Sequence, residues 1–264
     1  MKRILVVVSL LVVASLMLTA CGGAPKAANH LEAIKQAGVI KVGTSADYPP
    51  FESVDANGNK VGFDIDLMTE IAKRLGVKLE WVDMPFDSLI AAVQEGKIDA
   101  SISAFNYSEV RDQTIDFSDA YYTSEDAFTV ADGFAGTIAK PEDVVAYKVG
   151  VQTGTTQDTW LTDLVNAGTL PEANLFRYDR ADQAMADLKN GRIEVVMSDK
   201  VPAEALAKQL GGLKIVYSGV LSSGPMNIVI PNGDVELQKA INEIIKQLQD
   251  EGFIDQLAVK YFAE

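Results

Sequence analysis

One short pattern occurs twice in this chain, and it narrows the fold more than any other feature. Lys41-Val42-Gly43 returns as Lys148-Val149-Gly150, and Gly96-Lys97-Ile98-Asp99 returns, in the same order, as Gly191-Arg192-Ile193-Glu194. Around the first copy the periodicity is that of a βαβ unit. Val39–Gly43 reads as a short apolar strand. Asp64–Leu75 reads as a helix with Ile65, Met68, Ile71, Ala72 and Leu75 on one face, stopped by Gly76. Lys78–Val82 is a strand, Asp87–Gln94 a helix stopped by Gly96, and Ile98–Ile102 a strand. Strands alternating with amphipathic helices specify an α/β fold. Two chance helix-to-strand loops could produce the same repeats, but the shared order and spacing favour two related lobes.

In open α/β sheets ligands bind beyond the carboxyl ends of strands. That rule selects four loops: Thr44–Phe51, Ser103–Arg111, Gln152–Gln157 and Ser198–Lys200, two from each half. A site fed by both halves lies in a cleft between lobes. From Asp234 onward the chain reads as helix. Leu237, Ile241, Ile244, Ile245 and Leu248 form one apolar stripe, Gly252 breaks it, and Phe253–Phe262 is a last short helix that could pack with its predecessor on either lobe.

With 264 residues the chain is long enough for two lobes of about 100 residues each. The net charge of −14, with no Lys/Arg-rich run, repels phosphate backbones and argues against nucleic-acid partners. One Cys and one His rule out an intrachain disulfide and nearly exclude a Cys/His metal site or a His-based triad; no cofactor is expected. The beginning of the chain reads as an export signal: positive Met1-Lys2-Arg3, apolar Ile4–Met17, then Leu18-Thr19-Ala20-Cys21-Gly22-Gly23. An uncleaved anchor is the alternative, although the apolar run is short for a span. Leu18–Cys21 resembles a bacterial lipobox, which implies that Cys21 is acylated and becomes the mature N-terminus. Residues 1–20 are then the signal and 21–30 a flexible tether, with His30 a solvated residue at its end.

Gly62-Phe63-Asp64-Ile65-Asp66-Leu67 resembles the signature of the family-3 solute-binding proteins, the polar amino-acid receptors of ABC importers. Thr44–Phe51, Asp116-Phe117-Ser118 with Tyr121-Tyr122, Gly154-Thr155-Thr156 and Gly252–Phe262 are similar to further landmarks in the same order, although Ala120 stands where the family usually has Pro. The resemblance implies a periplasmic-binding-protein-like type II fold: two α/β lobes joined by two crossing hinge strands, residues 31–122 with 225–264 forming lobe 1 and 123–224 lobe 2. It also implies a monomer at the outer face of the cell membrane, or in a periplasm, that hands a small polar amino acid to ABC permease subunits.

The same resemblance assigns roles. Arg111 aligns with the residue that holds the ligand carboxylate, a task suited to the guanidinium fork. Asp199 aligns with the acceptor of the ligand ammonium. Ser103, Ala104 and Asn106 occupy the strand-end loop that binds ligand, although relatives often carry Thr or Ser where Asn106 stands. Tyr48 and Phe86 resemble an aromatic pair that sandwiches the ligand side chain; Phe51, Phe63 and Phe117 belong to the core. Thr155 and Thr156 precede a helix over Gln157–Asn166 whose N-terminus favours an anion, and Gln152 opens the same loop. Asp64 is expected to cap its helix. Ser45 stands where relatives for basic amino acids or glutamine place Asp, while Glu52 and Asp47 keep the pocket mouth acidic. This combination favours a cationic side chain, arginine first and glutamine next, with glutamate and aspartate worst. Two rival classes remain: a dehydratase-like cleft enzyme on the same fold, which needs a general acid in the cleft, and a sensor domain working with a separate signalling partner.

Overall fold

The computed structural model describes residues 27–262; the export segment, Cys21 and the first part of the expected tether lie outside the described residues. Helix α1 (His30–Ala37) leads into β1 (Val39–Thr44). A small ladder of β2 (Ser53–Val54) and β3 (Lys60–Val61) precedes α2 (Phe63–Leu75), β4 (Lys78–Asp83), α3 (Phe86–Gln94) and β5 (Ala100–Ser101). Strand β1 lies between β4 and β5, parallel to both. After α4 (Glu109–Asp112) and β6 (Ile115–Phe117), β7 (Tyr122–Thr123) leads to β8 (Asp126–Ala131), the first strand of a second sheet. That sheet continues through β9 (Val149–Gln152), α5 (Thr156–Asn166), β10 (Leu175–Tyr178), α6 (Ala181–Lys189), β11 (Val195–Asp199), α7 (Lys200–Leu210) and β12 (Leu213–Gly219). Here β9 lies between β10 and β11, again parallel to both. The chain returns through β13 (Pro225–Met226) to β14 (Val229–Pro231), then α8 (Val235–Asp250) and α9 (Phe253–Phe262).

The two sheets have the same plan, β4-β1-β5-β14-β6 and β10-β9-β11-β8-β12. In each, three parallel strands are followed by an antiparallel one, β14 or β8, that the chain delivers just after crossing over. The two crossings pair with each other as antiparallel β7 and β13, Tyr122 opposite Met226 and Thr123 opposite Pro225. This is the two-lobed α/β fold with crossing strands.

The sequence repeat is a repeat of local physics. The Asp99 carboxylate accepts the backbone N–H of Lys41 at 2.7 Å, and the Glu194 carboxylate accepts that of Lys148 at 2.9 Å. Each acid thereby pins the start of a central strand. Gly43 and Gly150 leave the space that Ile98 and Ile193 fill; a Cβ at either glycine would overlap those side chains. The pairing predicted over Ile98–Ile102 contracts to Ala100–Ser101, while the flanking N–H groups of Asp99 and Ile102 still bond to β1 carbonyls.

Helices α8 and α9 pack on the first sheet's core. Leu237, Ile241, Ile245 and Leu248 are fully buried beside Phe51, Phe63 and Met68, each such side chain contributing about 1.5–3 kcal/mol. Phe262 stacks on Phe63 with centroids 4.9 Å apart. No helix among the described residues is long and apolar enough to cross a membrane.

Three expectations about the first half need correction. The tether stops short of His30: Asn29 caps α1 by accepting the Glu32 N–H, and His30 is the first helical residue. His30 is not simply solvated either. Its ring bridges Asp99 (2.9 Å) and Asp234 (2.5 Å), joining α1, the approach to β5 and the N-cap of α8. The hydrogen bond to Asp99, with that to Asp234, outweighs burial and raises its pKa to about 9. Asp64 does not cap α2. The N-cap is Gly62, without a side-chain bond, and Asp64 turns inward, where its Oδ2 accepts from the Ala104 N–H (2.7 Å) and the Tyr121 hydroxyl (2.9 Å).

Candidate functional site

A narrow cavity lies between the two sheets, and all four loops selected from the strand ends reach it. From the first come Ser45 and Tyr48, with Glu52 just past its end; from the loop after β5 come Ser103, Ala104, Asn106 and Arg111. Phe86 contributes from the start of α3, one residue earlier than the helix was predicted to begin. The second half contributes Gln152, Thr155, Thr156 and Asp199. The cavity therefore collects every residue singled out as a ligand contact, together with Gln157, which closes the third selected loop but was given no role of its own. Its signal was its place in the first turn of α5, where a side chain can still reach the strand-end side.

Arg111 sits in α4 with its guanidinium 5.6 Å from the ring centres of both Phe86 and Phe105. One nitrogen donates to the Asn106 carbonyl (2.9 Å) and the other to the Gly154 carbonyl across the cleft (2.7 Å). Burial brings its pKa down to about 10, opposed by Asp199, so it stays cationic at neutral pH. Phe86 stacks on Phe105 at 4.5 Å. One of its faces is thus a protein contact, and Phe86 and Tyr48 both still line the cavity.

Asp199 ends β11 and is buried. Its oxygens lie within hydrogen-bond reach of the hydroxyls of Tyr48 and Ser223 (2.8 Å each) and the Asn106 amide (3.1 Å). Burial raises its pKa and these donors oppose the rise. Tyr48 also accepts the Asp199 N–H at 2.8 Å, so one phenol spans the two halves. Asn106 is fixed from both ends, its carbonyl oxygen accepting the Gly224 N–H at 2.9 Å. Gln157 donates to Ser223 and so backs the same acid.

Thr155 is the N-cap of α5. Its hydroxyl accepts the Asp158 N–H and donates to the Gln152 carbonyl, leaving the start of an 11-residue helix facing the cavity. On the opposite wall Ala104 is the one non-glycine residue with positive φ (49°) among the described residues. Such strain persists where the surroundings enforce it; here the bond from its N–H to Asp64 does so. Ser103 accepts the Ser45 N–H and donates to Glu52 at 2.9 Å.

The acidic mouth is not where it was expected. Asp47 does not line the cavity. It is buried at the seam between the halves, where it accepts from Ser45, from the Ala181 N–H (2.5 Å) and from Gln152, with Arg180 3.8 Å away. Burial pushes it up to about 6 despite these partners. Glu52 lines the cavity but is 1% exposed, and burial beside Asp64 holds its carboxyl well above the usual range.

The sequence pattern of the bacterial extracellular solute-binding proteins, family 3, matches residues 40–264. The lysine/arginine/ornithine-binding periplasmic protein of Escherichia coli (strain K12) is 32% identical over 271 residues, covering 99% of this chain and 97% of that one. A mutant of ArgBP from T. maritima superposes with a TM-score of 0.82 at 38% identity, over 89% of this chain and 99% of that one. An ancestral arginine-binding protein bound to arginine gives 0.80 at 37%, over 86% and 99%. The ancestral amino acid-binding protein AncCDT-1, a precursor of cyclohexadienyl dehydratase, gives 0.78 at 34%, over 89% and 100%. With a match that runs through both sheets and the cavity they enclose, the chain belongs to the bacterial extracellular solute-binding proteins, family 3.

Proposed function

We propose that the protein is the substrate-binding receptor of an amino-acid ABC importer and that it holds a polar L-amino acid, arginine first and glutamine next, in the cavity between its sheets. The observation that carries this reading is the pairing of opposite charges on one small cavity. Arg111 comes from the first half and Asp199 from the second, and both line it. A zwitterion matches that arrangement: carboxylate on the guanidinium and the α5 N-terminus, ammonium on Asp199. The similarity to lysine/arginine/ornithine- and arginine-binding proteins supports a cationic side chain. Ser45, Ser103, Ala104, Asn106, Gln152, Thr155 and Thr156 would supply the polar wall, and Tyr48, Phe86 and Glu52 the side-chain pocket.

In this reading the division between lobes falls at the β7–β13 ladder, with residues 31–122 and 225–264 on one side and 123–224 on the other. Closure about that ladder traps the ligand. The protein acts as a monomer, anchored outside the cytoplasm through acylated Cys21 and presenting the closed form to the permease.

Catalysis is a second reading, favoured by one observation: Glu52 is a carboxyl that burial and the neighbouring Asp64 push towards its neutral form in a cleft, the form a general acid needs. AncCDT-1 has the same fold. The complete clamp for both charges of an amino acid favours binding without turnover. Competition calorimetry with arginine, lysine, histidine, glutamine and glutamate tests the choice. Arginine should bind tightest and glutamate weakest, with every ligand recovered unchanged. Tightest binding of glutamate would overturn the pocket reading, and a converted ligand would establish the enzyme.

A further inference from the structure

Two carboxyl groups meet at the back of the cavity. Glu52 is 1% exposed and Asp64 fully buried, and neither forms a salt bridge among the described residues. Each has one oxygen engaged by ordinary donors: Glu52 Oε1 accepts from Ser103, and Asp64 Oδ2 from Ala104 and Tyr121. The remaining oxygens, Glu52 Oε2 and Asp64 Oδ1, are buried and meet no N–H or hydroxyl donor. Consecutive residues, Ser103 and Ala104, hold the two acids, so the carboxyl groups lie side by side with one bare oxygen each. Neither carboxylate has a hydrogen to offer the other. Neighbouring buried acids disfavour double ionisation, and one proton between them relieves both the repulsion and the bare oxygens.

The surroundings decide where the proton resides. Asp64 accepts two hydrogen bonds and lies in the first turn of α2, where the helix favours negative charge. Glu52 accepts only one and lines the cavity. The charge therefore rests on Asp64 and the proton on Glu52. Resting on the receptor reading above, we propose that Glu52 and Asp64 share a single proton before ligand enters, and that a cationic ligand side chain expels it while a neutral one leaves it in place. The Glu52 O–H bond breaks, its electron pair stays on the carboxylate, and the proton leaves to solvent. One positive charge enters the pocket as another departs, so the net charge of the buried site is unchanged.

Burial and the neighbouring acid push Glu52 well above the carboxylate range, and burial pushes Asp64 up to about 7, so both groups favour holding a proton more than a free carboxyl does. The other titratable groups facing the pair are Asp47 beyond Ser45, Tyr48 beside Glu52 and Tyr121 behind Asp64, with Arg111 and Asp199 across the cavity. Burial pushes both phenols well above their usual range, so they keep their protons near neutrality. The remaining groups meet arginine and glutamine alike through the shared amino-acid end or not at all, so their titration cancels when the two ligands are compared.

Calorimetry of L-arginine and L-glutamine near pH 7, in buffers of differing ionisation enthalpy, reads the proton directly. Arginine should release close to one proton more than glutamine. Its affinity should then rise towards tenfold per pH unit below the pair's titration, and glutamine's should not. Equal release by the two ligands, or no release with arginine, overturns the proposal, as does binding of glutamine alone. Glu52→Gln, whose amide can still donate to Asp64, should abolish the difference. If that variant does not fold, infrared spectroscopy of the wild type decides. The protonated-carboxyl band must disappear with arginine and persist with glutamine; any other pattern overturns the assignment. Failure of both amino acids to bind would remove the receptor reading as well, which separates the two conclusions.

Discussion

Arg111 does two jobs with one planar group. It stands near two aromatic rings and donates to carbonyls on both sides of the cleft. Lysine has the charge but not the fork. Arg111→Lys should therefore fold normally yet weaken amino-acid binding by roughly 10- to 100-fold, the loss of one or two charge-assisted hydrogen bonds. Calorimetry on the purified variant checks this, and unchanged affinity would relieve Arg111 of its role. Such residues were legible before the structure because strand ends in α/β sheets point at a common crevice. The Glu52–Asp64 pair was not. Asp64 occupies the usual position of a helix-capping acid, and only the approach of the Ala104 loop and Tyr121 turns it inward. Gln157 was hidden for a simpler reason: its partner Ser223 lies 66 residues away.

The amphipathic helices and central strands were readable from period alone, down to the five buried residues of α8. What escaped was how they are fastened. His30 joins segments 69 and 204 residues apart, and no local pattern signals that. Its folded pKa of about 9 lies above the ordinary 6.5, so its contribution is fully present below about pH 6.5 and is lost as pH rises through about 9. With solvent screening of a partly exposed group, the effect is on the order of 1 kcal/mol. Thermal melts should show wild type losing stability between about pH 7 and 10, with a smaller loss in His30→Ala. Gly62 secures the neighbouring element. It holds φ at +140° at the start of α2, and a Cβ there would overlap the Phe51 carbonyl. Gly62→Ala should cost on the order of 3 kcal/mol, seen as a lowered denaturant midpoint with unchanged slope. A midpoint equal to wild type would show that the loop relaxes freely.

Across the whole molecule, closure rests on a few contacts between the halves: Tyr48 with Asp199, Asp47 with Gln152 and Ala181, and Arg111 with Gly154. Gly154 has φ +78°, and a Cβ on it would sit 3.0 Å from Asp87 Cβ on the opposite half. Gly154→Ala should thus leave each half folded but oppose full closure. Small-angle scattering should show wild type contracting with saturating arginine and the variant contracting less; identical contraction would mean that the cleft closes elsewhere.

The claim that one amino acid is clamped between the two halves is tested most directly by a crystal structure of the protein grown with saturating L-arginine. Its carboxylate should lie within hydrogen-bond distance of the Arg111 guanidinium and the first N–H groups of α5, and its ammonium should lie on Asp199. An arginine bound outside the cavity, or bound inside it with neither Arg111 nor Asp199 in contact, would contradict that claim.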